Sequence, residues 1–112
     1  MQIRGYIKEY LTQYIQQFEQ MDVAVSAVIL FGSHARGEGM VSSDVDLAMV
    51  LRSPLTRREQ GLLRSLGDDI DERIDTNLFF TTPEALEMAH SDLDTNSHIK
   101  KEGIVIWEES LT

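Results

Sequence analysis

The sequence predicts a single α/β (α+β) domain, residues 1–112, in which helices flank a central β-sheet. Three observations carry that expectation. Apolar residues recur at helical spacing in several segments, runs rich in β-branched residues and closed by turn residues lie between them, and 112 residues leave chain for one core only.

Between Ile3 and Met21 the apolar and aromatic residues Ile3, Tyr6, Ile7, Tyr10, Leu11, Tyr14, Ile15, Phe18 and Met21 follow a three-and-four spacing, the mark of one helical face. Glutamines and charge fill the other face. The tyrosines Tyr6, Tyr10 and Tyr14 form a stripe along this helix that suits core packing better than a partner surface. Val23–Phe31 reads as a buried strand that breaks at Gly32-Ser33, and Val45–Leu51 as a second strand closed by Ser53-Pro54. Thr56 with Glu59 makes a capping box at the head of a helix running toward Ile70. Ile74–Phe80 alternates as a third strand. Thr82-Pro83 opens a short helix through Ala89, Asp94–Lys101 forms another stopped at Gly103, and Ile104–Trp107 is a last strand, with Trp107 in the core. Asp68, Asp69, Asp71 and Glu72 read as a solvated helix end, and His90 and His98 as surface residues.

Hydrophobic residues at 42% and charged residues at 26% place the chain in the ordinary folded range. It has no cysteine, which excludes a disulfide framework and a thiolate zinc site. No apolar run approaches the roughly 20 residues that cross a bilayer, and Met1–Gly5 lacks the apolar block of a signal peptide, so a cytoplasmic protein without membrane contact is expected. Nineteen acidic residues against ten basic ones give a net charge of −9, which repels polyanions and argues against direct nucleic-acid binding. The same charge repels a nucleoside triphosphate unless carboxylates hold divalent cations that reverse the local field.

The stretch Phe31–Leu47 concentrates the chemistry. Gly32-Ser33 stands where a strand ends and a helical turn can begin, a place where free backbone N–H groups face outward and suit phosphate. Ser33 adds a hydroxyl donor, and Arg36, one turn on, contacts phosphate or braces the loop. Taken alone, this segment reads better as an ordinary turn with an N-capping serine. Asp44 and Asp46 shift the balance: two acids one residue apart on an extended segment point to the same side, where their repulsion is relieved by a cation. Magnesium takes oxygen ligands and is typically held by one or two carboxylates, substrate phosphates and water. A calcium loop of the EF-hand type is excluded, because Ala48 stands where a further oxygen ligand is required.

Gly32-Ser33, ten residues, then Asp44-x-Asp46 resembles the G-S-x10-D-x-D signature of the DNA polymerase β-like nucleotidyltransferase superfamily. The block GSHARGEGMVSSDVDL is similar to that of its minimal nucleotidyltransferase (MNT) branch, with Ala35-Arg36-Gly37, Ser43 and Leu47 matching as well. The resemblance implies a mixed sheet, a triphosphate held at Gly32 and Ser33 with help from Arg36 and Ser43, and two Mg2+ ions on Asp44, Asp46 and a third carboxylate from a later strand. Asp75, near the start of the third predicted strand, is in the right place for that role, with Asp71 one helical turn earlier as the alternative. His34 falls at a position that the family leaves variable.

By the same resemblance the activity is transfer of AMP from ATP to an acceptor hydroxyl with release of pyrophosphate, the metal ions neutralising charge on the phosphate oxygens and either Asp75 or a metal-bound hydroxide taking the proton. Related nucleotidyltransferases carry an additional helical domain over the base and acceptor, so this chain is expected to present half a site that another subunit completes. In the MNT family that subunit is a small helical HEPN protein, often an RNase toxin, which the MNT protein neutralises as antitoxin by modifying a tyrosine. Two alternatives stand beside this. One is a subunit that masks its HEPN partner without chemistry, and the other is transfer to a small cationic acceptor of the aminoglycoside kind.

Overall fold

A computed structural model of the chain describes residues 3–40 and 43–109. Its elements follow in the order α1 (Gly5–Phe18), β1 (Val25–Phe31), β2 (Val45–Leu51), α2 (Arg57–Ile70), β3 (Thr76–Thr81), α3 (Pro83–Met88), α4 (Thr95–Glu102) and β4 (Ile104–Glu108). Every predicted element is present, with its ends moved by local hydrogen bonding. α1 starts at Gly5 because Arg4 has extended backbone, and it stops at Phe18 because the amides of Gln20 and Met21 bond back three residues, to Gln17 and Phe18. Met21 therefore keeps the apolar rhythm of the helix while lying beyond it. α2 begins as expected: the Glu59 amide donates to the Thr56 hydroxyl at 3.1 Å and the Thr56 amide donates to the Glu59 carboxylate at 2.8 Å.

The third strand departs most from expectation. Residues 71–74 form a turn rather than a strand start, since Asp71 accepts hydrogen bonds from both the backbone and the guanidinium of Arg73, each at 3.0 Å, and its carbonyl accepts from Ile74. Asp71 thus organises the link between α2 and β3 instead of fraying into solvent, and Arg73 holds its carboxyl below the usual carboxylate range.

The sheet order is β3-β2-β1-β4. β1 runs antiparallel to β2 and β4, while β2 and β3 are parallel, so the sheet is mixed. Period-2 alternation sends Val45, Leu47 and Met49 of β2 to one face, where all three are fully buried. α1 and α2 cover that face, adding Ile7, Leu11, Phe18 and Leu63, and the Trp107 ring meets Phe18 edge-on at 4.9 Å. No helix among the described residues is long and apolar enough to cross a membrane.

The tyrosine stripe divides. Tyr10 and Tyr14 are buried, Tyr10 bonded to the Thr76 hydroxyl and Tyr14 donating to the Leu63 carbonyl at 3.1 Å, while Tyr6 stays exposed. Burial pushes the Tyr14 phenol far above its ordinary value. The unfolded chain ionises this group near pH 10, and the folded chain keeps it neutral. Its contribution to stability is therefore complete below about pH 10 and is lost as pH rises from there toward the folded-state pKa. Tyr14→Phe should flatten the alkaline loss of stability in urea titrations across that range, at a cost of about 1 kcal/mol at neutral pH from the missing hydrogen bond. An unchanged alkaline slope would show that another group governs it.

Candidate active site

β1 ends at Phe31, which pairs with Asp46 of β2. The chain then reverses through Gly32 at φ 77°, a left-handed conformation that glycine adopts without strain. A side chain there would also collide with the Asp46 carboxylate. Residues 33–37 make one tight turn, in which the Ala35 and Arg36 amides donate to the Gly32 carbonyl and the Glu38 amide to that of Ser33. The Ser33 and His34 amides lie at the open start of this turn, ahead of the first donors that find a partner within it. Ala35 is fully buried and anchors the turn in the core.

His34 occupies the centre of the loop that leads to β2. The residue is 2% exposed and its ring lies under Gly39, whose backbone comes so close that a side chain at 39 would overlap the imidazole. The Ser43 carbonyl, which can only accept, stands 3.1 Å from Nε2, so Nε2 carries the proton. The Ser43 hydroxyl accepts from the Met40 amide at 2.9 Å, and Arg4 reaches across to the Gly39 carbonyl. Val41 and Ser42, also within the motif block, lie outside the described residues. Gly39 and Ser43 thus close on a buried imidazole just ahead of Asp44 at the mouth of β2.

Arg36 braces rather than reaching outward. Its guanidinium sits 3.0 Å from Glu102, at the end of α4, and 3.3 Å from Glu38. That ties the turn to the helix preceding β4.

Asp44 and Asp46 point to one side, as their spacing predicts. Between them stands Asn77 of β3, directly across from Asp46 in the parallel register, its side-chain amide donating to Asp44 Oδ2 at 2.9 Å and to Asp46 Oδ1 at 3.2 Å. Burial pushes the Asp46 carboxyl above its ordinary value, the Asn77 hydrogen bond holds it back, and the neighbouring Asp44 charge adds to the push. An oxygen-only pair that converges on a single hydrogen-bond donor, with one member already raised by burial, suits a hard divalent cation.

Asp75 lies one residue ahead of β3, exposed, with its carbonyl accepting from the Val45 amide at 2.8 Å. Among the described residues no group of three or more acidic or histidine side chains is gathered, so the two aspartates meet without Asp75 or Asp71. Sequence reasoning passed over Asn77 altogether. The signal that finds it is the residue facing Asp46 across the parallel ladder, and the pairing of that ladder is not written in the hydrophobic pattern. The site is open, with Asp44 and Asn77 exposed; a cleft of about 470 Å³ between Tyr6, Gln13 and Arg73 takes in Asp71 alone of the predicted residues, and one of about 540 Å³ lies apart between Leu51, Pro54 and Pro83.

The mixed sheet thus sets a glycine turn against a pair of acidic side chains on the neighbouring strand. The sequence over residues 11–111 matches the family model described as polymerase beta, nucleotidyltransferase. The chain belongs to that nucleotidyltransferase family. No curated protein matches it in sequence. Among solved structures it is similar to a chain of a toxin–antitoxin complex crystallised with AMP-PNP, at 21% identity and a TM-score of 0.64 over 88% of this chain and 73% of that one. It is also similar to a chain of the MntA–HepT toxin–antitoxin complex, at 18% identity and a TM-score of 0.59 over 91% and 73%. A third likeness is to a chain of the complex between a tri-AMPylated Shewanella oneidensis HEPN toxin and its MNT antitoxin, again at 18% and 0.59, over 91% and 72%. At such identities the likeness is one of fold.

Proposed function

We propose that this chain is a cytoplasmic, magnesium-dependent nucleotidyltransferase that moves AMP from ATP to a tyrosine hydroxyl of a HEPN partner and thereby acts as its antitoxin. The observation that carries the proposal is the convergence of Asp44 and Asp46 on one point beside the Gly32 turn, in a member of the nucleotidyltransferase family. The fold likeness to chains of MNT–HEPN complexes supports the choice of partner, and the charge of −9 suits docking to a basic RNase.

The residues divide the work. Gly32 and Ser33 offer amides and a hydroxyl to the triphosphate, Arg36 and Ser43 hold the loop that carries them, and Asp44 and Asp46 hold the metal. Mg2+ bound there supplies neutralisation of charge on the phosphate oxygens. The acceptor oxygen forms a bond to the α-phosphorus, the α–β phosphoanhydride bond breaks, and pyrophosphate departs. Asp75, exposed at the edge of the site, takes the hydroxyl proton. The open face leaves room for a partner surface to complete the site.

The test is the intact mass of the protein encoded beside this chain after incubation with it, Mg2+ and ATP. Wild type should add one or more AMP units, and an Asp44→Asn, Asp46→Asn double variant none. A stable complex with no mass change would replace this reading with masking by stoichiometric binding. Resistance in an aminoglycoside susceptibility assay would instead move the acceptor to a small molecule.

A further inference from the structure

Asn77 is the least expected residue of the acidic face. Asparagine is depleted in strands, because its short amide competes with the ladder and leaves little to pack. Here it occupies the second position of β3, exposed between Thr76, whose hydroxyl is bonded to Tyr10 on the opposite face, and Leu78, which packs against the core. Its backbone place is fixed by the parallel register, which sets Asn77 across from Asp46 and Leu78 across from Leu47. Only its two side-chain torsions remain to be chosen, and they carry the amide to both carboxylates at once.

An amide has two ends of nearly the same shape and opposite character: Nδ2 donates and Oδ1 accepts. With Nδ2 forward, it relieves the repulsion between Asp44 and Asp46 without any ion, at the point where their oxygens converge. A half-turn about the terminal torsion brings Oδ1 to that same point. Three oxygens, two anionic from β2 and one neutral from β3, would then face a common centre, and amide oxygens are established ligands of hard divalent ions beside carboxylates.

We propose that Asn77 is a metal ligand of this site, its amide turning from Nδ2 toward the acid pair to Oδ1 toward the divalent cation that the pair holds. The inference rests on the nucleotidyltransferase reading of Asp44 and Asp46 and adds a ligand that the acidic motif does not contain. It gives the chain a built-in way to hold the two carboxylates in place before the ion arrives, so that loading requires rotation of one amide rather than assembly of the site.

The opposite role is also physically definite, and the two predict opposite signs. If the Asn77 N–H group merely competes with the cation, removing it strengthens metal binding. If Asn77 ligates, removing it weakens binding. The measurement is Mn2+ affinity, read from the free-ion electron paramagnetic resonance signal, for wild type, Asn77→Leu, Asn77→Asp and the Asp44→Asn, Asp46→Asn double variant, each checked for folding by thermal melting. Asn77→Leu, similar in size but without donor or acceptor, should bind Mn2+ about tenfold more weakly, and Asn77→Asp, which restores an oxygen and adds charge, more tightly than wild type. Unchanged or tighter binding by Asn77→Leu overturns the proposal. Should that variant fail to fold, the nitrogen-15 resonance of the Asn77 side-chain amide decides. Addition of Mg2+ must shift it in wild type and leave it in place in the double variant, and an unmoved resonance in wild type overturns the proposal. The double variant separates the two levels of inference. Its loss of Mn2+ together with retention by Asn77→Leu removes Asn77 alone, whereas a double variant that binds like wild type removes the acid-pair reading as well.

Discussion

Gly32→Ala should reduce nucleotidyl transfer by at least about 100-fold, the scale on which displacement of a reacting group by roughly an ångström is felt. Two independent effects meet at this position. A left-handed backbone costs an alanine about 1–2 kcal/mol, and the added methyl group would lie against Asp46 Oδ2 with Cγ 3.1 Å away. The turn cannot relax without moving the Ser33 amide, and Asp46 cannot yield without leaving Asn77. The backbone cost is a modest share of the stability of a domain this size, which is about 5–15 kcal/mol, so the variant should still fold. Thermal melting together with kcat/KM for AMP transfer checks both halves. A folded variant with wild-type activity would show that the contact between the turn and Asp46 does not set the geometry of the site.

Leu47→Ala should have the converse profile, with a large loss of stability and little loss of chemistry per folded molecule. Leu47 is fully buried in β2 between α1 and α2, on the face opposite its neighbour Asp46. Truncation of such a leucine costs about 2–5 kcal/mol, the spread reflecting how far the surrounding core can collapse into the space. In urea the midpoint should fall while the slope stays as in wild type. Since β2 is held on both sides by paired strands, its backbone should keep Asp44 and Asp46 in register even in the weakened protein. Loss of AMP transfer beyond the unfolded fraction would mean that core packing on one face of β2 tunes the acids on the other.

Much of this architecture was legible from residues alone. The rhythm of Ile7, Tyr10, Leu11, Tyr14 and Phe18, the Thr56–Glu59 box and the break after Phe31 each have a local physical cause, and each produces the predicted element. The same holds for Asp44 and Asp46, which share a side because strand alternation has a period of two. What escaped prediction depends on contacts between distant segments. Nothing near Ile74 announces that Asp71 will take Arg73 into a turn and delay β3, a shift that leaves Asp75 ahead of the strand. Arg36 left two roles open, and the choice of bracing depends on Glu102, which is 66 residues away. His34 is the clearest case. The resemblance marks His34 only as a variable position of the turn, yet Gly39 and Ser43 close around it.

The strand order also bears on how the chain comes into being. β1, with its apolar sequence Val25–Phe31, lies between β2 and β4, and β4 follows all the other described elements in sequence. During synthesis, the β1–β2 hairpin is therefore complete long before its outer neighbour exists. In that interval one side of β1 offers unpaired N–H and C=O groups along a hydrophobic strand, the type of edge that recruits other chains into aggregates. The nascent protein is exposed to that hazard until Ile104–Glu108 docks, and any proteolytic cut that releases β4 from a finished molecule would reopen it.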